Sequence, residues 1–174
     1  MSYRALVNQH LSSARLVLAQ LSAQANTSQA LQRAFENSAL HLLHSAYLCQ
    51  LRVIADNYHC ADIAAINNIE ALQQVLAGAD MPAPEAAEIE VLVVEGWLGE
   101  LLKAHRQLCL PPTSAQTPAV AMPTTSRSDI ALRDEGPEDL EGPEDRPLNV
   151  KTLQGYWQRL DELVQRQSEM MLEY

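Results

Sequence analysis

The stretch from Ser28 to His59 limits the possible folds more than any other part of the chain. Projected as a helix at about 100° per residue, Leu31, Phe35, Ala39, Leu42, Ala46, Cys49 and Val53 fall on one face. Leu40, Leu43, Tyr47, Leu51 and Ile54 cover much of the opposite side. A helix that is apolar nearly all round needs neighbours on every side, so this one is predicted to be the central helix of a bundle. Its polar positions, Arg33, Asn37, His41, His44 and Arg52, form a narrow strip.

The flanking segments supply those neighbours. From Ser2 to about Ala25, Tyr3, Val7, His10, Ala14, Val17 and Leu21 alternate four and three apart, and Leu6, Leu11 and Leu18 widen the stripe. A shorter helix is expected over Ile63–Ala77, with Gly78 as a plausible C-cap and Pro82 and Pro84 punctuating the loop beyond. The next is expected from Pro84 or Glu85 to Leu108, with early glutamates, and with Lys103, His105 and Arg106 at the end where cations are favourable. Gly96 and Gly99 flank Trp97 within it and predict a kink or a close helix contact. A last amphipathic helix is expected over about Val150–Leu172, where Trp157, Leu160 and Leu163 form a face to be docked on the bundle or on a partner.

Composition agrees with this reading. Hydrophobic residues make up 47% and aromatics 5%, with only six glycines, which favours helices over sheets. Between Pro111 and Pro147 the character changes: seven prolines, eight acids against three bases and a repeated EGPED at 135–139 and 141–145. Such a segment cannot build a core and reads as a disordered acidic linker, spanning roughly 30–40 Å as a random coil. Its carboxylates lack the spacing of a calcium loop. The expected organisation is therefore a four-helix bundle over 1–110, a linker over 111–148 and a docking helix over 149–174. The fold class is all-α, an antiparallel bundle of about five helices.

Charge and motifs exclude more than they assign. A net charge of −10 disfavours binding to nucleic acid or to an anionic membrane, both of which need clustered Lys and Arg. The most apolar run, IEVLVVEGWLGELL, is interrupted by glutamates and is no transmembrane span. The N-terminus shows neither the apolar region nor the cleavage site of a signal peptide, so a cytoplasmic location is expected. Cys49, Cys60 and Cys109 form no disulfide framework or Cys-x-x-Cys pair and read as free thiols. No phosphate loop, nucleophile elbow or dinucleotide fingerprint appears.

The histidines are the remaining candidates. His41 and His44 lie about 60° apart on their helix and could share a cleft with Tyr47 or Tyr58, whose hydroxyls could satisfy them. A metal site would need two more ligands from other helices, and neither Glu-x-x-His nor His-Glu-x-x-His occurs, so no metal, cofactor or catalytic residue is expected. Adjacent His59, Cys60 and Asp62 are poorly placed for a catalytic relay. Arg4 and His10 match the loose Arg-x(4–6)-His pattern of helical HEPN-like ribonucleases, whose pair tends to lie on a late helix of the bundle, whereas here it opens the chain.

Several segments together resemble a family of short proteins from Pseudomonas and related gammaproteobacteria classed as a domain of unknown function. They are the helix opening near Tyr3, ENSALHLL at 36–43, GWLGELL at 96–102 and WQRLDELVQRQSEMMLE at 157–173. The resemblance implies an all-helical cytosolic protein and carries over no catalytic residue. The expected function is a non-enzymatic interaction or regulatory module with a protein partner or a second copy of itself. The alternatives are a ligand- or metal-binding bundle and the ribonuclease.

Overall fold

The computed structural model describes residues 2–23, 28–78, 82–110 and 148–171. All of the regular structure in these residues is helical, so the fold is all-α. The acidic linker expected over 111–148 lies, up to residue 147, outside the described residues.

Helix α1 (Tyr3–Ala23) buries Val7, Leu11, Ala14, Leu18 and Leu21. This seam repeats every three or four residues, as the helical period requires. It lies along α2 (Gln29–Asn57), which starts at Ser28, whose hydroxyl accepts the Leu31 N–H. Every other helix touches α2. Leu40, Leu43, Leu51 and Ile54 are fully enclosed, so the all-round apolar pattern finds its cover from the middle of the helix onward, while Leu31 near its start stays exposed.

The end of α2 is set by backbone geometry. The Cys60 N–H donates to the Ala55 carbonyl and the His59 N–H to that of Asp56. His59 stands in the left-handed region with φ 52°. This is a Schellman cap with histidine in the place that glycine usually holds. A 3₁₀ turn at Ile63–Ala65 follows, and then α3 (Ile69–Gly78). The helix expected over Ile63–Ala77 thus starts later, because the Asn68 side chain accepts the Ala71 N–H and caps a new helix there.

The helix expected from Pro84 to Leu108 is two helices, α4 (Pro84–Val94) and α5 (Trp97–Cys109). Gly96 between them is extended and precedes the first turn of α5. A Cβ there would lie 2.8 Å from the Leu92 carbonyl oxygen, and one on Gly99 would run into that of Val93. The two glycines let the chain fold back against the last turn of α4, so the expected kink is a full break, and the expected close contact is that of the glycines with the Leu92 and Val93 carbonyls.

Helix α6 (Val150–Met170) is capped by Asn149, whose side chain accepts the Thr152 N–H at 2.8 Å. It lies against α1, α2 and α5. Leu153, Leu160 and Leu163 are buried, each contributing about 1.5–3 kcal/mol of hydrophobic burial. The Trp157 indole N–H donates to the Leu11 carbonyl at 2.9 Å, and the Arg15 guanidinium lies over its ring. The register of α6 is fixed by a buried polar contact. The Gln50 amide donates to Gln167 at 2.9 Å, and Gln167 in turn donates to the Glu85 carbonyl and the Glu88 carboxylate. Glu88 also pairs with Arg166.

Two substitutions test this architecture. Gly99→Ala is expected to destabilise by about 1–3 kcal/mol in urea unfolding, because a backbone carbonyl must move. Gln167→Leu strands the buried Gln50 amide and is expected to cost about 1–3 kcal/mol, whereas the paired change Gln50→Leu/Gln167→Leu recovers part of the loss.

Candidate functional site

The polar strip of α2 meets α5 at its middle. His41 and His44, one turn apart on α2, both contact His105 of α5. The His44 and His105 rings stack with centroids 3.7 Å apart and planes within 6°. His41 meets His105 edge-on, at 88°, with His105 Nε2 2.9 Å from His41 Nδ1. At that separation one of the two nitrogens holds a proton and the other accepts it.

Charge is disfavoured on His44 and His105. Burial, then the neighbouring His105 and His41, push the pKa of His44 down to about 4. Burial, then His41, lower that of His105. His105 was expected to stand as a cation at the C-terminal end of its helix, but its surroundings favour the neutral imidazole. The partner of the two α2 histidines is thus a third histidine rather than a tyrosine hydroxyl.

Tyr47, one turn beyond His44, is buried, and among the described residues its hydroxyl is left without a hydrogen-bond partner. Burial, then the Glu70 carboxylate, raises its pKa above the usual phenol range, and the Ile69 backbone N–H, which approaches the hydroxyl but falls short of hydrogen-bond geometry, opposes this. An unsatisfied buried hydroxyl costs about 1–3 kcal/mol. His44, Tyr47, Ile69, Glu70 and His105 line a cavity of about 520 Å³ between α2, α3 and α5.

The other sequence candidates lie elsewhere. Tyr58 is not part of this cleft, because it sits about 21 Å further along α2 than His44 at 1.5 Å per residue. Its hydroxyl donates to the buried Glu85 carboxylate at 2.9 Å, and it lines a separate cavity of about 940 Å³ with Arg4, Asp56 and His59. Arg4 and His10, six residues apart, point about 120° from each other around α1. Leu160 and Leu163 are in the core, and Trp157 is half-buried against α1. Cys49, Cys60 and Cys109 are free thiols, and burial raises the pKa of the first two, the opposite of what a nucleophile needs. His105 was missed because spacing was weighed within single helices, whereas the cluster joins two. The available signal was a histidine within each of two apolar helices.

The fold and site define an all-α bundle with a histidine cluster opening on a lined cavity. The chain belongs to a family of unknown function, DUF6586, whose model matches residues 1–174. No curated protein and no solved structure matches it. No helix among the described residues is long and apolar enough to cross a membrane.

The cluster predicts a pH dependence. His44 has a lower pKa folded than its unfolded value of 6.5, so between these values the unfolded chain binds more protons. Its contribution to stability is complete above pH 6.5 and is lost as the pH falls toward about 4. Thermal midpoints across that window should fall less steeply for His44→Gln than for the wild type. Parallel curves would contradict the expectation.

Proposed function

We propose that this chain is a non-enzymatic binding module of the bacterial cytosol, and that the cleft between α2, α3 and α5 receives its ligand. The observation that carries this reading is the meeting, on one cavity, of neutral imidazoles and an unsatisfied buried tyrosine hydroxyl. A buried group without a partner is retained at a cost to folding, and a ligand that accepts from it removes that cost. The raised thiol pKa values support a binding role over covalent catalysis. The net charge of −10 argues against nucleic acid as the ligand.

A second reading, a protein-interaction module, is favoured by α4. Ala87, Val91 and Val94 follow one another at helical spacing on its outer side, with Val91 60% and Val94 73% exposed. Leu160 and Leu163 are committed to the chain's own core, so a partner using that face would have to displace α6.

Tyr47→Phe separates the two. Removing the unpaired hydroxyl should raise the unfolding midpoint by about 1–3 kcal/mol of stability. It should also abolish the binding of small polar fragments that shift the His44 and His105 NMR signals of the wild type. If Tyr47→Phe lowers stability, or leaves fragment binding intact, the cleft reading fails. If Val91→Glu/Val94→Glu instead abolishes a specific protein complex, the second reading is favoured.

A further inference from the structure

Resting on the cleft reading, we propose that the cavity between α2, α3 and α5 takes a small organic monocarboxylate, whose charged end is received at the start of α3 beside Tyr47. Helix α3 opens with donors that lack acceptors. The Asn68 side chain accepts the Ala71 N–H and the Asn68 carbonyl accepts that of Leu72. The N–H groups of Ile69 and Glu70 are left without an acceptor among the described residues, as the first turn of a helix leaves them. The buried Tyr47 hydroxyl stands beside the first of these, because the Ile69 N–H approaches it without reaching hydrogen-bond geometry. Three donors from two helices therefore lack an acceptor along the wall of one cavity, which Tyr47, Ile69 and Glu70 all line.

The start of a helix favours a negative group, and a carboxylate is all acceptor. One of its oxygens accepts from Tyr47 and Ile69, and the other faces the Glu70 N–H and Arg106. Arg106 is the cation that lines the cavity, and among the described residues it has no ion pair. The Glu70 carboxylate lines the same cavity and opposes an anion. A balance of one cation against one acid admits a single negative charge, which selects a monocarboxylate over a doubly charged phosphate ester. Ile69, Val93 and Leu102 give the cavity an apolar wall, and its volume of about 520 Å³ accommodates a tail of several carbons. The Tyr47 oxygen is enclosed in the free protein, so binding requires the wall to give at the exposed Asn67 and Asn68.

The test titrates the full chain at pH 7.5 with sodium butyrate and with butyramide, its uncharged isostere, by calorimetry, thermal unfolding and amide NMR. Butyrate should bind one per chain, raise the melting temperature and move the Asn68, Ile69 and Glu70 amide signals, while butyramide binds at least tenfold more weakly. Tyr47→Phe and the exposed Arg106→Gln should each weaken butyrate at least fivefold. Arg33→Gln, the same charge change at the start of α2, should leave it unchanged, and Glu70→Gln should tighten it. Absence of 1:1 butyrate binding, or binding indifferent to Arg106→Gln, overturns the proposal. Equal binding of butyrate and butyramide, lost in Tyr47→Phe, overturns the carboxylate and keeps the cleft reading, whereas polar fragments that bind Tyr47→Phe as well as the wild type overturn both.

Discussion

A helix that is apolar around nearly all of its circumference cannot be stable against one neighbour, and α2 sets this condition for the rest of the molecule. Helix α1 covers one side, α3 to α5 another, and α6 closes the remainder. Each of these elements needs only a one-sided stripe, because α2 supplies the opposing surface. The break after α4 serves the same end. A single helix from Pro84 to Cys109 would follow one line, whereas two shorter ones bring Ile89, Leu98 and Leu101 into a common core.

An apolar core of this kind specifies burial well and register poorly, since leucine tolerates many partners. The polar groups inside it supply what leucine does not. Gln50, Gln167, Glu85 and Glu88 are joined by hydrogen bonds, and a shift of α6 by one turn would break them together. Satisfied in this way, they act as a registry device. The region around His44 and Tyr47 differs: its rings contact each other, and the tyrosine hydroxyl is left over. One polar region thus fixes the register of α6, and the other leaves a buried hydroxyl without an acceptor.

The Leu and Ala spacing of α1, α2 and α6 made their existence and inner faces legible, because burial repeats at the helical period. Gly96 and Gly99 announced an irregularity but not its size. A glycine in sequence signals tolerance of close approach, and only the carbonyls of Leu92 and Val93 show that a full break was needed. The Asn68 cap was hidden inside an apolar run. At the candidate site, His41, His44 and Tyr47 were legible as a strip on one helix. Tyr58 was drawn in as a hydroxyl able to satisfy a histidine although it lies several turns away, and His105 was lost because the contact depends on how α5 is placed after the break.

The bond from Trp157 to the Leu11 carbonyl ties the last helix to the first, and this has a consequence for synthesis on the ribosome. Helices α1 and α2 emerge with one flank bare, and the segment that covers it is translated after α3, α4 and α5. At about 5–20 residues per second, the chain from Leu110 to Met170 takes roughly 3–12 s to appear. For those seconds Val7, Leu11 and Leu18 share an incompletely covered surface on a nascent polypeptide. The core is therefore completed only after α6 has emerged, and a stop codon before Val150 would leave a product that chaperones and proteases recognise as unfinished.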